Sequence, residues 1–343
     1  MTKHRYLAFG LRVECAWPIS SFAVSELPFA GGPDVEIDES DIALPDDAQE
    51  VGGAKVKVDG AKGFLEIPDC GRFEIVGGRR ILVQPNPGVT RDQVNLYLLG
   101  SVFGMLLHQR LLLPFHCNAV EIEGSAFLFC GESGAGKSTL AAYFVERGFR
   151  LLSDDLCALH FDDEGKLVVF PGAPRLKLWQ DTLDAFGRSS DGLTLVPWYD
   201  DKFEMPLPQE KWGEPLPVSG IFHLRTADSD LAHGIYPLKG LEAANCITAN
   251  IYRRRLADLI GAGHFYLTTT ARIVEQVPIF TMNRQWGFAH FHQEAAAAEQ
   301  RMRELVADQH RLLSGKAARE QSERSATLDI GKDYLHFAKD KRP

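Results

Sequence analysis

Between residues 62 and 85 apolar and polar positions alternate in three short pieces, GFLEIP, RFEIVG and RRILVQP, each bounded by glycine, proline or aspartate. A period of two is what a strand with one buried face requires, so these pieces predict strands. Glycine, proline and aspartate are frequent throughout residues 1–90, which read as a small β-rich N-terminal domain. The stretch PNPGVTRD then breaks the pattern, and Thr90 is placed to cap a helix carrying the run VNLYLLGSVFGMLL, Val94 to Leu107. At 14 residues that run is too short to cross a bilayer of about 30 Å, so it predicts a buried helix.

From Leu113 the pattern becomes apolar strands alternating with helices. CNAVEIEG and SAFLFC read as successive strands joined at Glu123-Gly124. A helix from Ser138 to Arg147 places Leu140, Ala141 and Phe144 on one face, and Gly148 fits its stop. RLLSDDLCALHF and KLVVFPG read as further strands around an acidic turn at Asp162–Gly165. LKLWQDTLDAFG reads as a helix ending at Gly187, residues 188–217 as irregular, SGIFHLR as a strand and GLEAANCITANIYRRRLADLIGAG as helical. Strong helix formers fill HQEAAAAEQRMRELVADQHRLLSG. The organisation expected is a β-rich domain over 1–90, a core with its lead-in helix over 91–313, and a charged, partly disordered tail over 314–343.

Composition narrows the function classes. A formal charge of −9 argues against a general nucleic-acid binder, which carries a basic surface. The six cysteines are scattered, with no CxxC pair, which fits reduced structural thiols in the cytoplasm and no zinc site. The N-terminal residues carry no signal-peptide pattern, and no membrane partner is expected.

The chemistry begins at Gly131-Glu132-Ser133-Gly134-Ala135-Gly136-Lys137-Ser138, a complete G-x-x-x-x-G-K-[ST] between an apolar strand and a helix. Glycines let backbone N–H groups converge on phosphate oxygens, and the helix N-terminus adds a favourable dipole. Lys137 is expected to reach the β- and γ-phosphates of ATP, with Glu132 to Thr139 forming the cradle and the Ser138 hydroxyl helping to hold Mg²⁺. One helix and the start of a strand later stand Asp154 and Asp155, where one carboxylate can serve the metal while the other takes a proton from an attacking hydroxyl. The bland alternative for the pair is an acidic turn at a strand end.

The stretch LLPFHCNAVEIEGSAFLFCGESGAGKSTLAAYFVERGFRLLSDDLCAL resembles the catalytic core of the HPr kinase/phosphorylase family. The elements that carry the resemblance are His116 ahead of two strands, the loop 131–138, and Arg147-Gly148-Phe149-Arg150-Leu151-Leu152-Ser153-Asp154-Asp155. It covers residues 113–160 and extends weakly to PGAPRLKLW. The resemblance implies an α/β fold with a P-loop kinase core of the HPr kinase/phosphoenolpyruvate carboxykinase-like type. It also implies Asp154 as general base toward a serine hydroxyl, His116 close enough to tune it, Asp155 on the metal, and a homo-oligomer. After residue 190 no counterpart of the family's HPr-recognising part is readable, so the acceptor is left as a hydroxyl of a peptide, small protein or metabolite. Divergent relatives of this type resemble kinases that modify peptide natural-product precursors, lasso peptides among them.

Other signals are weaker. Arg253-Arg254-Arg255 and Arg175 are either solvated charges or clamps on a transferring phosphoryl group. His290 and His292 have no further ligand at metal-site spacing, and Trp179, Trp198, Trp212 and Trp286 read as packing residues. The function expected is an ATP-dependent phosphotransferase; the alternative is a nucleotide-binding regulatory module without phosphotransfer. An ABC-type ATPase is disfavoured by the lack of an LSGGQ-like signature.

Overall fold

The computed structural model describes residues 3–26, 28–208, 214–226, 232–312 and 314. It divides into two compact units, Met1–Ala296 and Ala297–Pro343. The tail expected over 314–343 lies outside the described residues, Ser314 apart, as does Trp212.

The three alternating pieces are strands Lys62–Ile67, Gly71–Val76 and Arg80–Pro85, antiparallel neighbours in a nine-stranded sheet built from residues 4–85. Phe73 and Ile75 are fully buried, while Arg72 and Glu74 between them are half-buried, as the period of two requires. Thr90 caps the following helix through a capping box: its hydroxyl accepts from the Gln93 N–H while the Gln93 side chain accepts from the Thr90 N–H. Helices Arg91–Tyr97 and Phe103–Gln109 are joined by a π-type turn over Leu98–Val102, a wide turn that often accompanies a functional site. Residues Val102 to His108 are all buried; Phe103 packs 5.5 Å from the Phe9 ring and 5.3 Å from the Phe22 ring. Leu156 and Ala158 from later in the chain belong to the same core, and the Phe9 N–H donates to the Pro171 carbonyl. The N-terminal strands and the loop-bearing core therefore form one compact unit.

The second large sheet positions the site. Its centre is Ser125–Gly131, fully buried, parallel to Leu216–Thr226, which in turn is parallel to Ile279–Arg284. On the other side Cys117–Ile122 runs antiparallel, and Arg150–Ser153 pairs antiparallel with it. The link between the first two strands is a tight turn with Glu123 and Gly124 both at positive φ, which favours the twist of a hairpin. Helix Lys137–Glu146 buries Leu140, Ala141 and Phe144 and stops at Gly148 in the left-handed region.

Several segments depart from the sequence expectation. RLLSDDLCALHF is two strands, Arg150–Ser153 and Cys157–Phe161, broken at Asp154-Asp155 because Asp155 takes φ 75°. LKLWQDTLDAFG starts as strand Arg175–Trp179 and only then becomes helix Gln180–Ala185. Within the stretch read as irregular, Thr194–Leu195 and Lys202–Pro206 join that strand in a three-stranded sheet. The long helical segment is interrupted after Gly240–Ala249 and resumes as Arg254–Ile260 and Gly263–Gln276, with Arg253 at φ 50° in the break. A last helix runs over 291–312. Among the described residues no helix is long and apolar enough to cross a membrane.

Phe103 is the ring that joins the lead-in helix to Phe9 and Phe22. Replacing Phe103 by Ala is expected to lower unfolding stability by about 3–5 kcal/mol, read as a shifted urea midpoint. An unchanged midpoint would refute this joint.

Candidate active site

The glycine-rich loop expected to cradle phosphate is shaped by close approaches. Gly131 has φ 142°, and a Cβ there would lie 2.6 Å from the Leu224 carbonyl oxygen. Gly136 sits at φ 84° as the residue before helix Lys137–Glu146, where a Cβ would meet the Arg284 guanidinium at 2.9 Å. Lys137 Nζ donates to the carbonyls of Gly131 (2.9 Å) and Glu132 (3.0 Å), so the ammonium is folded over its own loop. Burial lowers its pKa, and Asp155 opposes that shift. Glu132, Ser133 and Gly134 are exposed, while Thr139 turns away to the Thr182 hydroxyl at 3.1 Å.

Strand register brings the other groups to this loop. Cys117 pairs with Cys130 and Ala119 with Ser153, so the start of the middle strand lies at the carboxyl ends of both flanking strands. His116, one residue earlier, therefore falls between the loop and the aspartates. Asn250 fastens the arrangement: its Oδ1 accepts from the Gly131 N–H at 3.0 Å, and its carbonyl accepts from the His116 N–H at 2.8 Å.

The two aspartates have different partners. Asp154 accepts from the Ser138 hydroxyl at 3.2 Å and from the Lys177 backbone N–H at 2.9 Å. Asp155 pairs with Lys177 Nζ at 3.3 Å, and its side chain is 44% exposed. His116 contacts Asp155, not Asp154: its Nδ1 lies 2.9 Å from the Asp155 carbonyl and 3.7 Å from the Asp155 carboxylate. A carbonyl only accepts, so Nδ1 carries the proton and Nε2 of the neutral ring is the free acceptor. Burial, with help from Lys137, pushes the His116 pKa down and keeps the ring neutral.

The carboxylates also differ in charge state. Burial and the neighbouring Asp155 charge raise the Asp154 pKa. Burial also works to raise Asp155, but Lys177, His116 once it is protonated in acid, and Lys202 outweigh it and bring that carboxyl to about 2. One member is thus held ionised and the other is made a better proton acceptor, the split that separates roles in paired carboxylates.

Of the residues expected from sequence, Lys137, Ser138, His116, Asp154 and Asp155 come together here. Arg175 is buried and engaged by Glu204 and Ser21. Arg254 and Arg255 are exposed on their helix, as are His290 and His292, and Trp286 is exposed too. Lys177, Asn250 and Arg284 were not foreseen. Arg284 ends its strand buried beside the loop, 3.4 Å from the Ala135 carbonyl and paired with Glu294. Its signal was present: IFTMNR is an apolar run ending in a cation at the carboxyl edge of the sheet.

Among the described residues no group of three or more His, Cys, Asp or Glu side chains could hold a metal. Ser138, whose hydroxyl lies on the carboxylate pair, and the ionised Asp155 fit Mg²⁺, which takes one or two protein oxygens and fills its remaining positions with phosphate and water.

Comparison with known proteins agrees with the resemblance carried by the loop and aspartates. The chain is 43% identical over 53 residues to an HPr kinase/phosphorylase of Geobacillus sp. (strain WCH70), covering 16% of this chain and 17% of that protein. With the HPr kinase/phosphorylase of Bacillus subtilis (strain 168) the identity is 35% over 82 residues, 23% of this chain and 26% of the relative. The chain thus matches only about a sixth to a quarter of the length of these relatives. The Hpr(Ser) kinase/phosphatase structure from Coxiella burnetii aligns over 57% of this chain and 94% of its own, at 14% identity and a TM-score of 0.30. No family model matches. The similarity is to an HPr kinase-like family, on a mixed α/β fold with several sheets.

Lys177 is the cation that keeps Asp155 ionised. Because the folded pKa of Asp155 lies below its unfolded value, the pair stabilises the protein above about pH 4, and that contribution is lost as pH falls through about 2. Lys177→Met is therefore expected to lower stability near neutrality by about 1 kcal/mol, a figure discounted for the half-exposed carboxylate. Its deficit against the unsubstituted protein should shrink toward pH 2 in acid titrations followed by fluorescence. A deficit independent of pH would contradict the assignment.

Proposed function

We propose that this HPr kinase-like chain is an ATP-dependent kinase that phosphorylates a hydroxyl, with Asp154 as the proton acceptor. The observation that carries the reading is the 3.2 Å hydrogen bond from Ser138 to Asp154, which ties the phosphate loop to the carboxylate pair. A P-loop alone is compatible with switches and motors, but a carboxylate pair with split proton affinities beside it suits transfer to a hydroxyl.

In this mechanism the backbone N–H groups of the loop beyond Gly131, as far as Ser138, hold the phosphates of ATP, and Lys137 leaves its loop carbonyls for the β- and γ-oxygens. Mg²⁺, which Ser138 and Asp155 would hold, would neutralise charge on the phosphates. The acceptor oxygen forms a bond to the γ-phosphorus as the bridging bond to ADP breaks. Its proton passes to Asp154, whose raised pKa suits it to that task. Asp155, fixed by Lys177, stays ionised and keeps Asp154 basic. Arg284, next to the loop carbonyl of Ala135, is a positioning residue for the cradle. The enzyme is assigned to the cytoplasm, where ATP is abundant and its six buried free thiols stay reduced.

Asp154→Asn should reduce ADP formation about 100- to 10,000-fold while nucleotide affinity changes little. In the unsubstituted protein transfer should rise with pH through a limb displaced above the ordinary carboxylate range, because only ionised Asp154 takes the proton. Retained turnover in the variant would remove Asp154 as the proton acceptor, whereas nucleotide binding by the unsubstituted protein with no phosphorylated product from any acceptor would favour the regulatory-module reading.

A further inference from the structure

Beside the aspartates lies a cleft of ≈ 490 Å³ to which no residue of Gly131–Thr139 contributes. Asp154 and Asp155 line it, so the pair meets the phosphate loop through Ser138 and opens onto a second space. Its walls come from far apart in the chain: Phe9, the π-type turn at Leu99–Ser101, strand Arg175–Trp179, the segment Val196–Lys202, and Tyr252-Arg253.

Three observations mark this space as a built ligand site. The first is charge. Four cations line it, Arg175, Lys177, Lys202 and Arg253, against two carboxylates, Asp154 and Asp155. Arg175 is satisfied by Glu204 and Lys177 by Asp155, but among the described residues Lys202 and Arg253 form no ion pair. Lys202 rests on the faces of Trp179 and Tyr199, at 5.0 and 5.1 Å, and Arg253 on Tyr252 at 5.6 Å. Ring faces hold these heads in place without neutralising them.

The second is exposed aromatic surface. Trp198 and Tyr199 are 46% and 40% exposed, and Trp198 packs 5.2 Å from Tyr97. Such faces suit the C–H and planar surfaces of a small organic body. The third is strain. Among the described residues six non-glycine residues have positive φ, and four of them, Phe9, Asp155, Trp198 and Arg253, line this one cleft. Conformations that cost energy persist where the surrounding structure holds side chains in place, and they gather at ligand sites.

We infer that this cleft receives the phosphoryl acceptor, and that the acceptor is a small hydroxyl compound bearing its own anionic group, a phosphate or a carboxylate. This rests on the kinase reading. The volume lies in the range of small-molecule sites. Lys202 and Arg253 take the anionic group, the aromatic faces take the body, and the hydroxyl is presented to Asp154. The N-terminal strands and the lead-in helix then have a catalytic use, since they supply walls of the acceptor site.

The test uses the full chain with its phosphate loop filled by Mg²⁺ and a non-hydrolysable ATP analogue. Glycerol 3-phosphate, glycerate and glycerol are titrated while tryptophan fluorescence is followed, with Trp198→Phe to assign the signal. One or both anions should bind and quench, glycerol should not, and the two anions report whether phosphate or carboxylate is preferred. Arg253→Gln and Lys202→Gln should each weaken anion binding about tenfold while leaving affinity for the nucleotide analogue intact, which also shows that the variants fold. Anion binding that ignores both substitutions, glycerol binding as tight as the anions, or no anion binding would overturn the inference. ADP release is measured in parallel with ATP. Anion binding with no ADP from any acceptor would overturn the kinase reading and leave the cleft standing. ADP released with a neutral seryl peptide, while no anion binds, would sink the cleft assignment and keep the kinase.

Discussion

The site depends on the register of one antiparallel strand. Cys117–Ile122 is inserted between the strand that leads into the phosphate loop and the strand that ends at the aspartates. Running opposite to both, it places its first residue where each neighbour finishes. A one-residue slip would turn Cys117 and Ala119 to the opposite face, away from the cluster they pack in, and carry His116 away from the Asp155 carbonyl. Burial on both faces fixes the register, since all but one of its six residues are buried. Asn250 adds a polar lock by bonding the ends of both the loop strand and the His116 segment. A buried, hydrogen-bonded asparagine tolerates little displacement, because either partner left alone is costly.

On that frame the charges sort themselves. Asp154 and Asp155 are adjacent in sequence, and an uninterrupted strand would point them to opposite faces of the sheet. The chain avoids this by taking Asp155 into the left-handed region, a conformation that costs about 1–3 kcal/mol for a residue with a Cβ. Both carboxylates then reach Lys177, one through its backbone N–H and the other through its ammonium. Alternation in strand Arg175–Trp179 sends Leu176 and Leu178 to the core and Lys177 to the site. One ammonium cannot neutralise two carboxylates, so the pair splits: Asp155 keeps the charge, while burial and then the Asp155 field make Asp154 hold a proton more tightly.

Local pattern carried much of this into the sequence. The phosphate loop, its flanking strand and helix, the Thr90 cap and the hairpin at Glu123-Gly124 all follow from residues close together in the chain. What was not legible depends on tertiary approach. LKLW has helix-forming neighbours and becomes a strand because Lys202–Pro206, some 25 positions later, offers it a partner. RLLSDDLCALHF has unbroken strand character, and nothing local announces the left-handed Asp155. The sequence pointed to His116 and both aspartates, yet only the fold shows that the histidine serves Asp155. Lys177 and Asn250 carry no motif; each matters because of a contact more than twenty positions away.

The N-terminal sheet illustrates how a segment without recognisable chemistry can still shape a reaction. Its strands carry no constellation of titratable groups at the site, only Phe9 at φ 55° against the loop at Pro171. Yet Phe9 and the turn at Leu99–Ser101 line the same cleft as Asp154 and Asp155. A P-loop core by itself has an open carboxyl edge, where water competes with any acceptor for the phosphoryl group. Covering that edge lowers the local dielectric and strengthens the influence of Lys177 on its carboxylates. The shared core that joins sheet, lead-in helix and Leu156, directly after the aspartates, makes this cover part of the same folding unit. The walls of the cleft beside the aspartates come from these elements, and the glycine-rich loop contributes none of them.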